Sequence, residues 1–141
     1  MKRARLYADG GARGNPGPAA SGFVLFEIDS KGENGKRIFE NGIYLGKATN
    51  NQAEYQAIVF GIKKAKELGI ESLDVRLDSE LAVKQLNGEY KVKNAQLAQY
   101  FLEIYNLRQT FHEIKFSHVR REFNKEADAQ VNKAIDEALG L

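Results

Sequence analysis

Four acids in this chain, Asp9, Glu54, Asp78 and Asp128, stand at junctions between elements. Asp9 and Asp78 each close a strand-like run, and Glu54 and Asp128 each sit in the first turn of a helical one. Each has an ordinary structural reading. Asp9-Gly10 is a common turn pair. Asn51 and Glu54 have the spacing of a capping box. Asp78, followed by Ser79 and Glu80, suits an N-cap. Asp128 complements a helix dipole. Taken together they point elsewhere. Four carboxylates at one end of one sheet repel one another unless cations neutralise them. Oxygen-only donors select Mg²⁺, Mn²⁺ or Ca²⁺. Two such ions about 4 Å apart suit phosphoryl chemistry, one activating water and the other stabilising the leaving oxygen.

Competing chemistries lack their residues. There is no cysteine, so a disulfide scaffold, a zinc ribbon and a thiol nucleophile are excluded. The two histidines, His112 and His118, form no H-E-x-x-H pattern. The run Gly10-Gly11-Ala12-Arg13-Gly14-Asn15-Pro16-Gly17 is followed by no Gly-Lys-Ser/Thr and opens no helix, so it is not a Walker loop. Its density of turn formers predicts a wide hairpin turn. No G-x-S-x-G elbow is present.

The elements that must position these acids follow from periodicity. Residues 3–8 alternate as a strand, and 9–21 read as a turn. Gly22 to Ile28 and Arg37 to Leu45 are two further strands around a loop at 29–35. From Asn51 to Leu68 the apolar residues Ala53, Ala57, Ile58, Ile62, Ala65 and Leu68 recur at helical spacing. That spacing turns Glu54 inward, where a carboxylate needs a partner. Leu73 to Leu77 is a strand, Glu80 to Leu86 a short helix, Asn94 to Phe111 a long one, Glu113 to Val119 a strand and Asn124 to Leu139 a last helix. The order βββαβααβα predicts an α/β fold with a mixed sheet and helices on its faces. Ligands of such sheets collect beyond the carboxyl ends of parallel strands, and if strands one and four are parallel neighbours Asp9 and Asp78 lie side by side there.

Length and composition agree. At 141 residues, 43% hydrophobic and 28% charged, the chain reads as one domain over 1–141. No run approaches the roughly 18 apolar residues of a membrane span. Met1 to Tyr7 carries charge without an apolar region, so no secretory signal is expected. A net charge of +2 hints only weakly at a polyanionic partner.

Four blocks together resemble type 1 ribonuclease H. They are Asp9 to Gly22, Thr49-Asn50-Asn51-Gln52-Ala53-Glu54, Leu77-Asp78-Ser79 and Asn124-Lys125-Glu126-Ala127-Asp128. The resemblance runs from about residue 5 to 135. It implies a five-stranded mixed sheet of order 3-2-1-4-5 flanked by helices. It implies cleavage of the RNA strand of an RNA–DNA hybrid, leaving a 3′-hydroxyl and a 5′-phosphate. Asp9, Glu54, Asp78 and Asp128 would hold two Mg²⁺ ions, with Mn²⁺ as substitute, and Asp9 would bridge them. Asn15, Asn50 and backbone groups of the glycine run, Gly11 among them, would contact ribose 2′-hydroxyls. Thr49 and Asn15 match positions that help hold a DNA phosphate, and Asn51 completes the Asn-Asn pair. The expectation is a cytoplasmic monomer with no membrane and no obligate protein partner.

The chain also departs from that family. Val119 to Asn124 contains no loop histidine, and Arg121 or Glu122 stands in its place. Glu80 occupies a position where relatives often carry Gln, which affects a 2′-hydroxyl contact. Only Gly88 to Lys93 stands where some members carry a basic protrusion. Hybrid affinity would then rest on Arg13, Lys84, Lys91, Lys93, Arg120 and Arg121. Two other readings use the same fold. A non-catalytic hybrid-binding module is disfavoured by the full acid set, and a DNA-directed nuclease is disfavoured by the Thr49-Asn50-Asn51 block.

Overall fold

The computed structural model describes residues 2–141. Among these, the strands are β1 (Arg3–Ala12), β2 (Gly17–Ile28), β3 (Asn34–Ala48), β4 (Ser72–Leu77) and β5 (Glu113–His118). The helices are α1 (Asn50–Glu67), α2 (Glu80–Leu86), α3 (Ala95–Arg108) and α4 (Lys125–Leu139), and a 3₁₀ turn at Arg121–Phe123 leads into α4. The element order is the expected one. The sheet runs β3-β2-β1-β4-β5. Short turns make β1, β2 and β3 antiparallel neighbours, whereas helical crossovers make β4 parallel to β1 and β5 parallel to β4.

Both faces of the sheet are covered. Because side chains alternate along a strand, Leu6, Phe23 and Leu25 face one way and Tyr7, Val24 and Phe26 the other. The first set joins Ile58, Ile62, Leu73, Val75 and Ile104 in the main core, against α1 and α3. The second set meets α4 through Ala127, while Val131, Ala134 and Ile135 cover Ala20. Central β2 is therefore a nearly continuous buried run rather than an alternating one.

The glycine run is not a wide turn. β1 continues through Asp9, Gly10, Gly11 and Ala12, paired with Gly22, Ser21, Ala20 and Ala19, and only residues 13–16 turn. The reason is packing. A Cβ at Gly10 would collide with the backbone of Ala53 and Glu54, so this glycine admits the first turn of α1 onto the strand. The Ser21 hydroxyl fastens the same turn by donating to the Ala53 carbonyl at 2.7 Å.

The caps also differ from expectation. α1 begins with Thr49, whose Oγ1 accepts from the Gln52 amide at 3.1 Å while Gln52 Oε1 accepts from the Thr49 amide at 2.9 Å. That closed capping box leaves Glu54 out of any cap. Ser79 rather than Asp78 caps α2, accepting from the Ala82 amide at 3.2 Å. α3 ends at Arg108, three residues early, because Gln109 and Thr110 turn to bring Phe111 into the core.

Candidate active site

The sheet register brings the first two acids together. β1 and β4 pair from Arg3↔Ser72 to Ala8↔Leu77, so Asp9 and Asp78 are the next residue on each strand. Glu54 arrives in the first turn of α1 and Asp128 in the first turn of α4. All four line one open cleft of about 480 Å³. Among the described residues no three acids or histidines stand close enough together, as placed, to hold a metal ion. The carboxylates face shared open space instead.

Their chemistry shows in their protonation. Burial, then the charge of Asp78, a hydrogen bond with Asp128 and the charges of Asp128 and Glu54 push Asp9 up to about 8. Burial, then Asp78, pushes Glu54 up to about 7, against the opposing pull of the Ser79 hydroxyl and the Arg121 guanidinium. Desolvated oxygen donors that repel one another fit a hard divalent cation, which would relieve that repulsion.

The other expected residues divide between two places. Gly11, Arg13, Asn50 and Asn51 line the acid cleft. Asn15 and Thr49 open instead, with Asn51, onto an adjoining polar pocket of about 220 Å³. The two are stitched together: Ala12 N donates to Asn50 Oδ1 at 2.7 Å, and Asn50 N donates to Asn15 Oδ1 at 3.1 Å. Each of these carboxamide oxygens thus already serves the backbone, which leaves the NH₂ groups as the free donors. Glu80 lies outside both spaces, exposed and paired with Lys84 at 3.1 Å. Arg120 pairs with Glu122 at 3.3 Å, whereas Arg121 reaches the cleft. His118 is exposed at the end of β5, away from the cleft lining.

Two residues escaped the sequence reading. Asn132 lines the cleft, donates to Asp128 Oδ2 at 3.3 Å and accepts from Arg13 at 3.4 Å. Its place one helical turn after Asp128 was the available signal. Asn124 donates to Asp78 Oδ2 at 3.1 Å from a buried position. Only its membership of the fourth block marked it.

The sequence family described as reverse transcriptase-like matches residues 7–134. The ribonuclease HI of Halobacterium salinarum is 39% identical over 136 residues, spanning 96% of this chain and 66% of that protein. Its solved structure matches with a TM-score of 0.90 and 38% identity, covering 96% of this chain and 98% of that one. The chain belongs to the type 1 ribonuclease H family. A second ribonuclease H structure, the N-terminal domain of Rv2228c from Mycobacterium tuberculosis, matches at TM-score 0.90 and 35% identity, over 99% of this chain and 98% of that one. LC11-RNase H1, solved in complex with an RNA/DNA hybrid, matches at TM-score 0.87 and 40% identity, over 96% of this chain and 99% of that one. The chain spans 66% of the halobacterial ribonuclease HI but only 35% of the whole Rv2228c protein, which is called bifunctional.

Proposed function

We propose that this chain is an endoribonuclease domain that hydrolyses the RNA strand of RNA–DNA hybrids, giving 3′-hydroxyl and 5′-phosphate ends. The observation that carries the reading is that carboxylates from four distant segments line one cleft beside Asn50 and Gly11. The hybrid-bound relative supports the substrate class. Asp9, Glu54, Asp78 and Asp128 would hold two Mg²⁺ ions, with Mn²⁺ as substitute. Bound there, such ions supply Lewis acidity toward water and the scissile phosphate.

The chain's own residues do the rest. Asp9, the most perturbed acid, stands in the field of the other three and would gain most from a cation's positive charge. The NH₂ groups of Asn50 and Asn15 offer donors to 2′-hydroxyls, the groups that tell RNA from DNA. Gly11, without a side chain, lets backbone approach the sugar. Thr49 and Asn15 in the adjoining pocket serve a phosphate of the DNA strand, and Arg13 and Arg121 bring positive charge to the cleft. Asn51, which borders both spaces, can serve either strand. Glu80, exposed at the start of α2 and paired with Lys84, would meet a 2′-hydroxyl from outside the cleft. The working form is a monomer that needs no protein partner.

The test replaces Asp9 or Asp78 with Asn and follows a labelled hybrid. Cleavage should fall by more than the 10- to 100-fold typical of outer-sphere residues. A chelator should stop cleavage of the native protein while hybrid binding persists, and an all-DNA duplex should stay intact. Undiminished cutting by both variants defeats the assignment. Robust cutting of the all-DNA duplex defeats the RNA-strand specificity.

A further inference from the structure

Asn124 directly precedes α4, where an asparagine side chain ordinarily caps the helix by accepting from an early backbone amide. It makes no such bond. Instead the side chain turns into the protein and the residue is only 1% exposed. Its Nδ2 donates to the Ala8 carbonyl at 3.0 Å and to Asp78 Oδ2 at 3.1 Å. Its own carbonyl accepts from the Asp128 amide at 3.1 Å. Ala8 is the residue before Asp9. One side chain and its backbone therefore touch the segments that carry three of the four cleft acids.

The arrangement has a cost. Asn124 gives up its cap, and its buried Oδ1 finds no donor among the described residues. A buried polar atom in that condition calls for a reason. The gain is a neutral donor beside a carboxylate. A lysine or arginine here would orient Asp78 equally well but would cancel its charge and compete with a cation. The carboxamide orients without neutralising.

We propose that Asn124 is a positioning residue for the acid cleft. It holds Asp78, and through Ala8 the strand segment leading to Asp9, in the arrangement that a divalent cation meets. The inference rests on the reading of the acids as cation ligands and adds the residue that sets their geometry.

The experiment uses the full chain and two readouts. In the native protein, the side-chain NH₂ signals of Asn124 are followed by ¹H–¹⁵N NMR as Mg²⁺ is added. They should shift along the same isotherm as the backbone amides of Asp9 and Asp78. Mn²⁺ affinity is then measured by calorimetry for Asn124→Ala and for Asn124→Leu, which keeps the volume but offers no donor. Both should bind Mn²⁺ about 10- to 100-fold more weakly, with native circular dichroism and an unchanged KM for hybrid. A merely structural residue would instead let the leucine variant bind Mn²⁺ as the native chain does, and that result overturns the proposal. Mg²⁺ saturation that leaves the Asn124 signals unmoved also overturns it, whether or not the variants fold. A native chain with no cation isotherm at all defeats the reading of the acids themselves, and this proposal with it.

Discussion

At the residue scale the cleft is defined by protons that its acids hold too tightly. Asp9 at about 8 and Glu54 at about 7 both owe their rise first to burial and next to Asp78. A cation must displace those protons, so binding releases them and tightens as they leave. The half-saturating Mg²⁺ concentration for hybrid cleavage should therefore fall steeply as pH rises toward about 8 and flatten only at about pH 9, where both groups are ionised. Initial rates across a Mg²⁺ series at each pH would check this. Inwardness of Glu54 was readable from spacing, whereas the pairing of Asp9 with Asp78 came with the strand order that the family resemblance implied. The services of Asn124 and Asn132 were not, since Asn124 reaches a residue 46 positions away and Asn132 looks like any polar residue on a helix.

At the scale of elements, the cleft depends on how closely α1 lies on β1. Gly10 permits that approach, and the Thr49–Gln52 box fixes where the helix starts. Gly10→Ala should force the two backbones apart. A loss of about 1–3 kcal/mol is the expected cost of such overpacking, and Mg²⁺ affinity should fall with it, because Glu54 moves with its helix. Denaturant melts and calorimetry on one preparation would show both. Thr49→Ala leaves the approach of α1 to β1 in place but removes the cap, and should cost about 1 kcal/mol of stability. A urea midpoint shift at unchanged slope would register it. The glycine run misled the sequence reading for a physical reason. A glycine in a turn and a glycine that admits a close neighbour share one quality, a missing side chain, and only the neighbouring helix tells them apart.

At the scale of the whole molecule, the cleft works against stability. Asp9 and Glu54 have folded values raised above their ordinary 3.8 and 4.5, so the folded chain holds protons that the unfolded chain would release. Stability from these groups is therefore full below about pH 4, where both states are protonated, and is lost progressively as pH rises to about 7 to 8. Asp74 works in the opposite sense. Burial acts to raise it, but hydrogen bonds from Arg76 and Arg5, at 2.8 and 2.9 Å, hold it below its usual range. Its contribution is present above that range and lost in acid. In chelator, Tm should decline between about pH 5 and pH 8 and level off above. Saturating Mg²⁺ should recover most of the loss at the alkaline end, since a ligand of the folded state alone stabilises it. Scanning calorimetry with and without Mg²⁺ at both pH values decides the matter, and a metal-free Tm that climbs over this range would contradict the acid cluster.

By itself the sequence determined the order of elements, the mixed sheet, the four acids and their family, because periodicity and short motifs are written between near neighbours in the chain. Tertiary structure alone decided that β1 runs on past Asp9, that Thr49 rather than Asn51 caps α1, that Glu80 pairs with Lys84 outside the cleft lining, and that Asn124 leaves its helix for Asp78. Each of those outcomes is a choice between local options of similar free energy. Contacts across the packed core make that choice, and residues far apart in the chain supply them.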